Sequence, residues 1–411
     1  RYRGSPPLAF RRLGRWFEPV GWWNVMTNII ICIYYAVIIG WSASYAYYSL
    51  NAAWGADPQA FFFKDFLNMA GPEALGLDFV GKVVGPLIGV WLFTCIIMAL
   101  GVQKGVAGAS SFFMPLLLIM FIIMVGISLT LPGAAKGLDA LFTPDWSKLS
   151  DPKVWVAAYG QIFFSLSVGF GIMLTYASYL QKKSNVTGTA LVAGFANSSF
   201  EILAGIGVFS ALGFMAHSQG VAVSELKGLT GPILSFVTFP KIISMMPGGP
   251  LFGVLFFSSL VLAGITSLLS LLQVVSGAIQ DKFALTLVKA SLVMGIPTTI
   301  ISLAFFATRS GLNTLDIIDN FINNVGVVGC AIAMALSTAL VRPRLRGLRR
   351  HLNSVSAPSI PPVWDYLVGI VIPLVLAFML VGPLRALALG EDAAAGLGVP
   401  VTMVRGATII A

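Results

Sequence analysis

The sequence predicts an all-α protein that crosses a membrane many times. Hydrophobic residues make up 57% of its 411 residues and charged residues only 10%, against about 25% charged in a soluble domain. Apolar stretches near the ~20 residues that a helix needs to cross hydrocarbon recur about nine times. The basic residues gather mainly in two short segments abutting those stretches, as they do in cytoplasmic loops.

In chain order the spans run roughly over residues 22–50, 83–101, 112–131, 154–180, 189–215, 251–279, 285–307, 317–341 and 367–388. A last apolar stretch, 399–411, is too short to cross. Placing residues 1–15 in the cytoplasm makes successive loops alternate between the two faces. Lys104, Lys182, Lys183, Lys282, Lys289 and the run Arg342-Pro343-Arg344-Leu345-Arg346-Gly347-Leu348-Arg349-Arg350 then lie inside. The longer, more acidic loops 51–80, 132–153 and 217–250 lie outside. One orientation thus puts both basic clusters inside. The net charge of +9 is a topology signal and does not point to nucleic acid.

The fourth span departs from a plain lipid-facing helix. Gln161-Ile162-Phe163-Phe164-Ser165-Leu166-Ser167-Val168-Gly169-Phe170-Gly171 puts two serines and two glycines at its centre. Gly favours unwinding, and Ser adds a hydroxyl where the backbone opens. Opened backbone at membrane depth is tolerated only inside protein or along a cavity, and broken helices at the midplane are how secondary transporters hold ions and substrate. A kinked packing helix with small residues at a contact is the other reading. Both stay open on this stretch alone.

Several chemistries find no support. Cys32, Cys95 and Cys330 are odd in number, far apart and within apolar runs, so they read as small buried hydrophobes. His217 and His351 are isolated at span ends or in loops. An enzyme needs a nucleophile–base or metal pair, and no clear one is present.

Two further patterns remain. Ala263, Thr266, Ser267 and Leu271 fall at i, i+3, i+4 and i+8, on one helix face. Two hydroxyls and a backbone carbonyl make a hard oxygen set for a small cation, although such hydroxyls also bond back to their own preceding turn. Asn197 and Glu201 are one turn apart on one face of the next helix. A carboxylate inside a span is a functional-site signal by default; a polar structural pair is the alternative.

Phe163-Phe164-Ser165-Leu166-Ser167-Val168-Gly169-Phe170-Gly171 followed by Thr175-Tyr176-Ala177-Ser178-Tyr179 resembles the sixth helix of the neurotransmitter:sodium symporter family, in particular its bacterial amino-acid transporters. The resemblance continues in Leu141-Phe142-Thr143-Pro144-Asp145-Trp146, Asn197-Ser198-Ser199-Phe200-Glu201, Phe209-Ser210-Ala211-Leu212-Gly213-Phe214-Met215-Ala216, Ala263-Gly264-Ile265-Thr266-Ser267, Tyr34-Tyr35 and Trp41. It covers nearly the whole chain. It implies the leucine-transporter-type inverted-repeat fold, with residues 1–131 the rest of the first repeat, 154–341 the second, and 342–411 the C-terminal helices. Arg1-Tyr2 resembles the end of the family's second helix and 399–411 the start of its twelfth, so a fragment lacking the first two helices and most of the last is expected.

What the resemblance implies for sites is specific. Ala263 (carbonyl), Thr266 and Ser267 would be the remaining part of one sodium site. Ser165, where the family usually has Thr, and Asn197 would be the remaining part of the other. The substrate wall would comprise Ile31, Tyr35, Phe164, Ser165, Ser167, Phe170, Ser267 and Leu271, with the Tyr35 hydroxyl toward a substrate carboxylate and Phe164 as a cap. Asp319 and Gln161 would belong to the outer gate, Asp281 and Tyr179 to the inner one. Chloride-dependent members carry a serine at the position of Glu201, so the carboxylate here would replace the anion. The expected function is Na⁺-driven symport of a neutral, apolar amino acid by alternating access, independent of chloride, with no organic cofactor. The expected location is the plasma membrane, the bacterial inner membrane. A proton-coupled amino-acid transporter and a channel are the alternatives; the first would be indifferent to sodium, the second would conduct without saturable uptake.

Overall fold

Proline and glycine punctuate the helices. The computed structural model describes residues 4–69, 76–181, 183–229, 231–339 and 342–378, without the side chains of 152–153, 156 and 342–344. The expected features at residues 1–3, Lys182, the end of the 317–341 span and everything past 378 lie outside the described residues.

Helix α1 (Pro6–Leu13) starts on two prolines, whose fixed φ suits a first turn and which have no N–H to leave unpaired. It leads into α2 (Glu18–Tyr48), α3 (Gly81–Ala99) and α4 (Val102–Thr130). The short α5 (Ala134–Phe142) precedes a split span, α6 (Pro152–Ser165) and α7 (Ile172–Tyr179). Then come α8 (Val186–Gln219), α9 (Gly231–Met245), α10 (Gly249–Phe283), α11 (Leu287–Phe306) and α12 (Gly311–Ala339). Helices α13 (Arg342–Val355) and α14 (Val363–Phe378) follow. Asn185 caps α8 by accepting the Gly188 amide at 2.9 Å, and the left-handed Gly220 ends it.

Seven of these helices are individually long and apolar enough to cross a membrane, against about nine spans expected. The difference has two local causes. The fourth span is divided into α6 and α7, each too short alone, and α14 continues beyond the described residues.

Helix α2 is the spine, packed most extensively on α10 and also on α3 and α11. Hydrophobic around its circumference, it is the kind of helix that only a protein interior accommodates. On the opposite flank α8 runs against α4 and α5. There Gly137 lies so close to the Phe209 carbonyl that any Cβ would overlap it.

The loops segregate as the charge pattern requires. At one face the Ser5 amide donates to Asp281 at 2.7 Å and Lys282 pairs with Glu18 at 3.3 Å. At the other, Val80 N donates to the Ala307 carbonyl at 2.8 Å and Trp54 Nε1 to Ser244 at 2.8 Å. This outer end is locked by aromatic rings. Tyr45 stacks on Trp54 (5.9 Å, 11°) and meets Phe66, Phe236 and Phe257 at 5.4, 5.1 and 5.1 Å.

Candidate functional site

The break between α6 and α7 is the centre of the site. Helical bonding stops at Ser165, and Ser167 (φ 51°), Gly169 (φ 89°) and Gly171 (φ 74°) turn the chain through left-handed conformations. For Ser167 this is an uncommon backbone state of the kind that collects at functional sites. The fourth span is therefore a broken helix and not merely a kinked one.

Asparagines on α2 hold the opened chain. Asn28, fully buried, donates from Nδ2 to the Phe170 carbonyl at 2.7 Å and to its own-helix Asn24 carbonyl at 2.6 Å. Asn24, one turn earlier and equally buried, donates to Cys330 Sγ at 2.9 Å. Gly171 fits only because it lacks a Cβ, which would lie 2.4 Å from Asn24 Oδ1. Neither asparagine was singled out in the sequence, where both sit in the apolar run that became α2.

Beside the break lies a cavity of about 370 Å³. Of the expected substrate-wall residues, Ile31, Tyr35, Ser167, Phe170, Ser267 and Leu271 line it together, with Asp319. Tyr35 of α2 and Ser267 of α10 meet on its wall. Tyr34, Ile38, Ile172, Ser270 and Asn323 complete the lining and were not foreseen. Helical spacing could have found three of them: Ile38 and Ser270 lie three residues past Tyr35 and Ser267, and Asn323 four past Asp319. Asn323 Nδ2 donates to the Asp319 carboxylate, 2.8 Å from Oδ1, and Tyr34 lines the cavity with them.

Two expected wall residues stand apart from this cavity. Phe164 is 39% exposed and packs edge-on against Phe163. Phe163 takes the buried position instead, and the next helical residue points about 100° away from it. Ser165 faces α8: its hydroxyl donates to Glu201 Oε1 and accepts from Asn197 Nδ2 at 2.5 Å. Gln161 Nε2 also reaches Glu201, at 3.5 Å. A carboxylate, a hydroxyl and two amides thus form one connected group at the end of α6.

On α10 the Thr266 hydroxyl donates to the carbonyls of Ala263 (2.9 Å) and Leu262 (3.1 Å). This is the bond back to the preceding turn that the sequence left open. It uses the hydroxyl proton and leaves acceptor lone pairs on the oxygen, so it does not oppose cation binding. At the inner end Tyr179 accepts from Gln273 Nε2 at 2.8 Å, near Asp281.

The model of the sodium:neurotransmitter symporter family matches residues 55–388. An uncharacterized sodium-dependent transporter of Methanocaldococcus jannaschii is 40% identical over 378 residues, which are 90% of this chain and 75% of the relative. The sodium-dependent serotonin transporter of Drosophila melanogaster is 29% identical over 67% of this chain and 48% of its own length. The crystal structure of MhsT in complex with L-phenylalanine superposes with a TM-score of 0.73 at 28% identity, over 92% of this chain and 84% of that one.

Proposed function

Because the chain belongs to the sodium:neurotransmitter symporter family, a family of transporters and not of enzymes, we propose that it moves an amino acid with an apolar side chain inward with sodium, without chloride, across a bacterial plasma membrane. Sodium-dependent transport by a multi-pass membrane protein is the family's common property. The remainder is our reading, and one observation carries it: the cavity beside the helix break joins Tyr35, Ser167 and Ser267 to the apolar side chains of Ile31, Phe170 and Leu271. A few polar groups in an apolar wall fix the head of a solute and bury its tail. The MhsT structure holding L-phenylalanine supports a solute of this kind.

In this reading residues 1–131 and 154–341 belong to the two inverted halves, and 342–411 to the C-terminal helices. Ser165 with Asn197, and Ala263 with Thr266 and Ser267, supply oxygens to two sodium ions that travel as cargo. Asp319, held by Asn323, guards the outer end together with Gln161. Asp281, bonded to the Ser5 amide, guards the inner end with Tyr179. Saturable uptake of leucine or phenylalanine into proteoliposomes under an inward sodium gradient tests the reading. Equal uptake with potassium in place of sodium would point to proton coupling, and conductance without saturation to a channel.

Two substitutions probe the cavity. Leu271, 6% exposed on its wall, should limit solute size. Leu271→Ala should shift preference toward bulkier side chains, since a methylene in such a pocket is worth about 1–3 kcal/mol. Competition by glycine, alanine, leucine and tryptophan reads this out, and an unchanged rank order would move the pocket elsewhere. Asn28→Leu removes the donor that fixes the Phe170 carbonyl and leaves a buried acceptor unpaired, at about 1–3 kcal/mol. Substrate affinity should fall by about tenfold or more in protein that still inserts. Unaltered affinity would make Asn28 a packing residue only.

A further inference from the structure

At the inner face, α13 and α14 enclose a second cavity, of about 680 Å³, far along the chain from the helix break. Arg346, Arg349 and Arg350 project into it from α13 at i, i+3 and i+4, hence from one face. Asp365 of α14 pairs with Arg349 at 3.0 Å. Arg346 and Arg350 are exposed one turn apart and make no ion pair among the described residues. Like charges at that spacing repel, so the pocket carries a surplus of two positive charges that an anion would offset.

The opposite wall says which kind of anion. Leu336 of α12 and Ile370 of α14 line the cavity and are 42% and 47% exposed. Tyr366, Ile370, Leu374 and Phe378 recur at four-residue intervals along α14 and are 62%, 47%, 65% and 66% exposed. An apolar stripe therefore leads from the arginines along a helix that enters the membrane. The face is the one the charge pattern assigns to the cytoplasm: the loop after α13 is tied to the start of α8, Ala357 N donating to Asn185 at 3.1 Å and Val186 N to Ser356 at 2.9 Å. A free phosphate would use the arginines and ignore the stripe. A phospholipid uses both.

We propose that this cavity binds an anionic phospholipid of the cytoplasmic leaflet, with its phosphate between Arg346 and Arg350, whose planar guanidinium forks suit phosphate oxygens, and an acyl chain along Tyr366, Ile370, Leu374 and Phe378. Tyr366 would then lie where headgroup gives way to hydrocarbon, the level at which tyrosine is enriched.

The test is native mass spectrometry of the detergent-purified protein titrated with phosphatidylglycerol, phosphatidylcholine or inorganic phosphate. Phosphatidylglycerol should be retained in preference to phosphatidylcholine. R346Q/R350Q should lose about thirtyfold of that preference, on the order of fivefold for each arginine near an anionic headgroup. K104Q/K289Q, on the same face and outside the cavity lining, should keep it. Phosphatidylcholine binding, unchanged in R346Q/R350Q, separates loss of the site from loss of the fold; if the double variant does not fold, R350Q alone gives the comparison. Equal retention of the two lipids by the unaltered protein, full selectivity in the arginine variants, or displacement of phosphatidylglycerol by millimolar inorganic phosphate would each overturn the assignment.

Discussion

Thr266→Val together with Ser267→Ala is expected to abolish sodium-dependent substrate binding while leaving the protein folded in the membrane. Valine has the shape of threonine without the oxygen, and the Thr266 hydroxyl bonds only to its own helix, to the Leu262 and Ala263 carbonyls. Nothing else in the bundle needs it. Ser267 is exposed at the cavity, and Tyr35 beside it on the wall would keep its packing. Hydrogen bonds and contacts to charged groups are worth about 1.5–3 kcal/mol each, so losing two oxygens from one ion should weaken binding at least about a hundredfold. A sodium titration of radiolabelled substrate binding measures it. Undiminished sodium dependence in the double variant would remove both residues from the ion site.

Glu201→Ser should make uptake require chloride. The carboxylate accepts directly from Ser165, which Asn197 also bonds, so its negative charge lies against the residues proposed to hold one sodium ion. A unit charge at about 4 Å in a protein-like dielectric acts on the scale of 4 kcal/mol. Serine removes that charge and opens space for an anion to supply it. Sodium-driven uptake with chloride replaced by gluconate should proceed in the unaltered protein and fall tenfold or more, on the order of that energy scale after screening, in Glu201→Ser. An unaltered protein that stops in gluconate would sink the idea, as would a serine variant indifferent to the exchange.

The sequence narrowed the fourth span to a broken or a kinked helix, because serine and glycine at membrane depth serve either opened backbone or close packing. The shared face of Ala263, Thr266, Ser267 and Leu271 follows from helical spacing alone. Asn197 and Glu201 were visible as neighbours for the same reason, but their meeting with Ser165 was not, since it joins helices more than thirty residues apart in sequence. The Asn24–Asn28 support was hidden differently. Two asparagines in an apolar run signal a buried hydrogen bond, and only the fold says that the acceptor is the opened backbone at Phe170. Phe163 is the buried one of the pair and Phe164 the exposed one, because adjacent aromatics leave the direction of a helix face undetermined.

The aromatic lock at the outer end bears on how such a molecule can move. Trp54, Tyr45, Phe236 and Phe257 tie the loop after α2, the start of α9 and α10 into one unit, with each ring pair adding about 0.5–1.5 kcal/mol beyond its burial. Parting these rings would forfeit several pairs at once, so this quarter of the outer rim is a fixed hinge post. On the other side, where α6 and α8 meet through the Ser165–Asn197–Glu201–Gln161 group, the described residues show no such ring lock. The rim is thus mechanically lopsided, and solute would enter from the side of the broken helix.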